Sequence, residues 1–211
     1  MQTTLAEWIQ YLQKGPIFEN THYRGITIWK SPLDLWIFQE IIHETRPRVI
    51  VEIGSRFGGT TQFMADLLEL RGGEGMVISV DPDRTGYSAT HPRIRAITGS
   101  SLDPGVIREV TALCSTGENM IVHDGDHTRA NVLRDLQSYS PLVGVGHYFI
   151  VEDGIMDVFW PGVSPGSYGD GPLAAIDDFL QMTSAFVPDA SRERYRITYN
   201  PRGYLRRVRP A

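Results

Sequence analysis

"RVIVEIGSRFGGTT", residues 48–61, is the stretch that decides the fold. Val49 to Val51 and Ile53 form an apolar run of strand length, and Gly54 and Gly58 bracket a turn before a helical pattern from about Thr60 to Leu70. A strand with so little polar character must be covered on both faces, which calls for parallel neighbours and crossover helices. The chain downstream supplies them. "GMVISVDPD" (75–83), "IRAITGSS" (94–101), "NMIVHDGD" (119–126) and "GHYFIVEDG" (146–154) read as four further strands, with helical patterns near 104–114 and 129–139. Alternation at this spacing implies an α/β fold with a mostly parallel sheet, helices on both faces and right-handed connections. The end of the chain breaks the pattern. After a helix at about 173–182, "RYRITYN" (194–200) and "GYLRRVR" (203–209) flank the turn "NPRG" and predict an antiparallel hairpin. Upstream, apolar residues at helical spacing over 3–14 and 33–44 predict two helices, joined by a connector with a short strand at Ile26 to Trp29.

The 211 residues fit one domain with an N-terminal extension and suffice for a sizeable core. A net charge of -5 argues against general binding to phosphate backbones, and the late arginines 202, 206, 207 and 209 follow a strand pattern, so nucleic acid is not an expected partner. Cys114 is the only cysteine, which excludes an intrachain disulfide framework and a Cys-rich zinc site and fits a reducing compartment. The N-terminus has no basic-then-apolar leader and no stretch approaches transmembrane length, so the expectation is a cytoplasmic protein without a membrane partner. Homo-oligomerisation is compatible with the sequence.

Acidic residues end several of these strands. Glu52 and Asp81 end the first and second, and beside the glycine turn they are placed to hold a ligand, Asp81 through the two hydroxyls of a ribose. Each also has a plainer role: the glycines suit any β-to-α turn, and "DPD" is good turn chemistry. Arg56 and Phe57 stand where a dinucleotide fingerprint needs small residues. Two carboxylates also disfavour a pyrophosphate and favour a cationic nucleoside, a description that S-adenosylmethionine fits. Asp124 ends the fourth strand, and Glu152 and Asp153 end the fifth. If the first, fourth and fifth strands are neighbours, these three carboxylates converge and require compensation, and hard oxygen donors favour Mg²⁺ or Mn²⁺. His127, three residues past Asp124, is a candidate general base. Asp126 reads as the N-cap of the following helix, and His123 as a structural histidine facing away from Asp124. "WPGVSPGSYGDGP" (160–172) leaves the carboxyl end of the fifth strand, where a loop can cover a site.

Several long segments, "YRGITIWKSPLDLWIFQEIIHETRPRVIVEIGSRFGGTT", "HDGDHTRANVLRDLQSYSPLV", "YFIVEDG" and "NPRGYLRRV", together resemble the cephalosporin hydroxylase/rhamnosyl O-methyltransferase family. The resemblance spans nearly the whole chain. It implies a class I S-adenosylmethionine-dependent methyltransferase with a seven-stranded sheet and a reversed last hairpin. The chain is also similar to macrolide-sugar O-methyltransferases, whose metal pattern Asp-x-x-His followed by Glu-Asp falls on Asp124, His127, Glu152 and Asp153. A more distant similarity to catechol O-methyltransferase puts His127 in the place of that enzyme's catalytic lysine.

The expected protein is therefore a metal-dependent O-methyltransferase acting on one hydroxyl, of a vicinal pair, on a sugar or natural-product scaffold. Residues 1–46 would form a helical cap and connector, and 47–211 the cofactor-binding domain. Asp124, Glu152 and Asp153 would hold Mg²⁺ or Mn²⁺, with Asp124 and His127 at the reacting hydroxyl. Glu52, Gly54, Ser55, Gly58 and Asp81 would hold S-adenosylmethionine, with Ser100 and Ser101 near its adenine. Two other classes remain compatible with the residues. One is a non-catalytic cofactor-binding subunit of a hydroxylase or tailoring complex; the other is a nicotinamide-dependent oxidoreductase, which Arg56 disfavours.

Overall fold

In the computed structural model, which describes residues 3–14, 17, 19–114, 117–159 and 171–210, the chain begins with α1 (Leu5–Lys14), the two short strands β1 (His22–Tyr23) and β2 (Ile26–Thr27), and α2 (Pro32–Thr45). There follow β3 (Val49–Ile53), α3 (Gly59–Arg71), β4 (Met76–Asp81), β5 (Ile94–Thr98), α4 (Pro104–Leu113), β6 (Asn119–His123), α5 (Arg129–Tyr139) and β7 (Tyr148–Val151). The chain closes with α6 (Ile155–Phe159), α7 (Pro172–Met182), β8 (Phe186–Pro188) and β9 (Tyr204–Arg207).

The strands β3 to β9 form one sheet in the order β5-β4-β3-β6-β7-β9-β8. The five strands from β5 to β7 are parallel, while β9 runs antiparallel to both β7 and β8. Apolar residues of β3 alternate between two cores. Val49, Val51 and Ile53 pack with α4, α5 and α7, whereas Ile50 packs with Phe38 and Ile41 of α2 and Met64 and Leu68 of α3. Both faces are thus covered, and α2 belongs to one of the covering layers. α1 instead packs Ile9 against Ile155 and Tyr199 beside the site.

Register positions the functional residues. Ile53 lies opposite both Val80 and His123, and His123 lies opposite Val151. One step further along, Gly54, Asp81, Asp124 and Glu152 therefore emerge at the same level on the carboxyl edge, where open α/β sheets bind ligands.

Two expectations need correction. The first arm of the C-terminal hairpin is Phe186–Pro188, and residues 194–200 are not a strand. The buried Asp34 carboxylate takes the Tyr199 N–H (2.9 Å) and the Thr198 hydroxyl (2.6 Å), which diverts this segment from ladder pairing. Likewise the N-cap position of α5 is Thr128, not Asp126. The Asp126 carboxylate accepts the Thr128 N–H at 2.9 Å and also binds the Asn131 side chain, so it shapes the loop before the helix. The short helix α6 was not expected from the sequence, and Trp160 with nearly all of the 160–172 loop lies outside the described residues.

Candidate active site

The loop after β3 is built around a close approach. Gly54 has φ +82°, and a Cβ there would stand 2.1 Å from the Asp124 carbonyl oxygen, so only glycine lets the two strand exits pass. The Asp81 carboxylate fixes the loop from the side. One oxygen accepts the N–H groups of Ser55 (2.8 Å) and Arg56 (2.9 Å), and the other accepts the N–H of Asp83 (2.8 Å). Beyond it opens a cavity of about 400 Å³ lined by Gly54, Asp81, Ser100, Ser101, Asp124 and Asp135, among others. This volume lies in the range of small-molecule sites.

Asp124 also belongs to a second grouping. One ligand atom each from Asp124, His127 and Asp153 lie within 4.8 Å of one another. His127 Nε2 stands 3.7 Å from Asp124 Oδ1 and 3.4 Å from Asp153 Oδ2. Asp153 reaches this position from a left-handed backbone (φ +61°), and its N–H donates to the side-chain oxygen of the buried Asn200 at 3.3 Å. Asn200 in turn is tied through its own N–H to Thr198 and thence to Asp34.

Glu152 takes a different partner. The ammonium of Lys30, on the segment between β2 and α2, donates to Asp124 and to Glu152, and both Lys30 and Glu152 are buried, at 6% and 2% exposure. Burial opposes the Lys30 charge, but Asp124, Glu152 and Asp153 together hold its pKa above the ordinary lysine range. Burial, together with the neighbouring carboxylates, pushes Glu152 and Asp153 upward.

The structure brings Gly54, Asp81, Ser100, Ser101 and Asp124 to the cavity wall, and groups Asp124 with His127 and Asp153. It does not bring Glu52, Ser55 or Gly58 to that wall. Glu52 is buried on the α2 and α3 side of the sheet, accepts the Thr61 hydroxyl, and is pushed up to about 8 by burial. Ser55 holds the Arg84 guanidinium, and Gly58 caps α3 at φ +88°. His123 is a buried structural residue whose Nε2 meets Asp135 at 3.1 Å. Lys30 and Asn200 carry no signal in the sequence. A lysine before an Ser-Pro helix start and an asparagine before a proline both read as ordinary loop chemistry.

A parallel five-stranded core with an antiparallel C-terminal pair, and a ligand cavity at the carboxyl edge, defines the class I methyltransferase architecture. A family model described as "Rhamnosyl O-methyltransferase/CmcI" matches residues 16–208, and the chain belongs to this family. Rhamnosyl O-methyltransferases of Mycobacterium tuberculosis are 31% identical over 209 residues, covering 94% of this chain and 83% of theirs. That of Mycobacterium leprae is 30% identical over 195 residues, covering 90% and 84%. Among solved structures, a Mg- and SAM-bound CmcI superposes with a TM-score of 0.69 at 22% identity, over 99% of this chain and 86% of that one. MycE, a methyltransferase of mycinamycin biosynthesis solved with Mg and SAH, gives 0.55 at 18% identity, over 85% and 48%. No helix among the described residues is long and apolar enough to cross a membrane.

Proposed function

We propose that this S-adenosylmethionine-dependent O-methyltransferase acts on a hydroxyl of a rhamnose-type sugar, one of a vicinal pair, with Mg²⁺ or Mn²⁺ at its carboxylate site. The names of the mycobacterial relatives support the sugar, and the MycE complex with Mg, SAH and mycinamycin VI supports an ion beside an acceptor. The observation that carries the proposal is the double membership of Asp124. It lines the cavity and also belongs to the cluster with His127 and Asp153, so cofactor space and metal donors share a wall.

The residues fit the ion. Asp124 and Asp153 offer hard oxygen donors, and Glu152 Oε1 is buried with no hydrogen-bond partner among the described residues. Asp124 and Asp153 would hold the ion, with Glu152 as the third carboxylate. A divalent ion there would supply Lewis acidity that lowers the pKa of the acceptor hydroxyl.

The chain's own groups do the rest. His127, with its Nε2 near both Asp124 and Asp153, takes the acceptor proton at that nitrogen. The acceptor oxygen then forms a bond to the methyl carbon as the carbon–sulfur bond breaks, and a neutral thioether leaves. Gly54 admits the cofactor close to the strand exits, Asp81 holds the loop and turns its one remaining acceptor position to the ribose, and Ser100 and Ser101 line the adenine side. Glu52 carries no direct contact and supports the loop from beneath. Residues 1–46 carry Lys30 to the site, their α2 also covering one face of the sheet, and 47–211 bind the cofactor.

Mass spectrometry of reactions with a panel of rhamnosides and other glycosides tests the proposal. Rhamnosides should gain one methyl group, with one equivalent of S-adenosylhomocysteine formed. Intact cofactor binding with no methylation of any sugar in the panel would refute the acceptor class.

A further inference from the structure

The proposed reaction gives no part to Lys30, yet this residue is the most unusual charge in the site. It is 6% exposed, it sits on the segment between β2 and α2, and its ammonium bridges Asp124 and Glu152 across 94 and 122 residues of sequence. Taking a lysine out of water is costly unless its charge is answered. The buried Glu152 has no other ion-pair partner among the described residues, so without Lys30 its carboxylate would be a lone buried charge. An ammonium is a compact point charge, closer to a small cation than a guanidinium is.

These contacts fall on the same carboxylates that would hold a divalent ion. An ammonium and a doubly charged ion within a few ångströms repel strongly, and more so where water is excluded. We propose that Lys30 is the built-in counter-cation of the site, competing with a divalent metal for Asp124 and Glu152 and thereby setting the affinity with which the site takes metal. This inference rests on the metal reading of the carboxylate cluster. Lys30 has a second consequence. It gives the buried carboxylates a counter-charge in metal-free protein, so the chain can fold before it acquires an ion. Metal uptake is thereby linked to the residue 30 segment, since an ion that binds Glu152 must displace the ammonium.

The test compares full-length wild type, Lys30→Met and Lys30→Arg by Mn²⁺ titration and by thermal melting in chelator. Lys30→Met keeps the length of the side chain and removes its charge. It should melt lower in chelator, bind Mn²⁺ about tenfold more tightly or better, and gain more in Tm from Mn²⁺ than wild type does. Lys30→Arg keeps the positive charge in a bulkier group, so it should lack the gain in Mn²⁺ affinity that Lys30→Met shows. Unchanged or weaker Mn²⁺ binding by folded Lys30→Met would overturn the inference. If neither wild type nor Lys30→Met bound Mn²⁺ while both bound S-adenosylhomocysteine, the metal reading itself would fail and take the competition with it. Should Lys30→Met not fold in chelator, Lys30→Met/Glu152→Gln decides. Recovery of folding supports the pairing, since no lone buried charge is left, and no recovery overturns it.

Discussion

The strand exits of the site depend on one residue, Gly54. Its positive φ and the 2.1 Å approach of a would-be Cβ to the Asp124 carbonyl leave no room for a side chain. Gly54→Ala should cost about 1–3 kcal/mol for the backbone conformation and a similar amount for overpacking, read as a lower midpoint in chemical denaturation. It should also displace Asp124 and weaken cofactor binding; a variant as stable as wild type would mean the loop relaxes freely. Glu52 gives a pH-dependent test. Its folded pKa of about 8 lies above the ordinary carboxyl value, so folded protein keeps a proton that unfolded protein releases. Its contribution is fully present below the ordinary glutamate range and lost as pH rises through about 8. Wild-type stability should therefore fall across that window by up to about 1.4 kcal/mol per pH unit from this group alone, and Glu52→Gln should remove that slope. Parallel stability–pH curves for the two proteins would show that Glu52 is charged in the fold.

Among the elements, the segment joining the short helical turn at 190–193 to β9 holds the active-site backbone in place. Asp34 on α2 accepts hydrogen bonds from Thr198, Tyr199 and Tyr204, and Asn200 then accepts the N–H of Asp153. Asn200→Ala removes that acceptor while leaving every proposed metal ligand in the chain. Mn²⁺ affinity should drop about fivefold, the worth of one ordinary hydrogen bond, as read by calorimetry. Equal Mn²⁺ binding by a folded Asn200→Ala protein would show that Asp153 needs no such support. This is also where the sequence was least legible. "RYRITYN" has the composition of a strand, but a carboxylate more than 160 residues away captures its backbone, and no local pattern encodes that. The parallel strands were legible for the opposite reason, because burial on both faces writes an apolar run that needs no distant partner to be recognised.

For the molecule as a whole, strand order does most of the work of assembling the site. With β3, β6 and β7 adjacent, carboxylates at the ends of strands far apart in sequence come to one edge, which is why Asp124 and Asp153 could be paired from the sequence. The cation beside them could not be. Lys30 enters from the segment ahead of the first core strand, and its arrival between Asp124 and Glu152 depends on how α2 lies against the sheet. The separate placements of Glu52 and Asp81 were equally hidden, since a carboxylate at a strand end looks the same whether it faces the cavity or the interior. The central claim is that methyl transfer occurs where Asp124, His127 and Asp153 meet beside the cavity. The most direct measurement is single-turnover methyl transfer to a rhamnoside by wild type and His127→Ala at saturating S-adenosylmethionine, with cofactor affinity measured separately by calorimetry. The variant should bind the cofactor as wild type does and lose roughly 10²–10⁴-fold in the transfer step. A rate equal to wild type in His127→Ala would contradict the account and move the proton acceptor elsewhere.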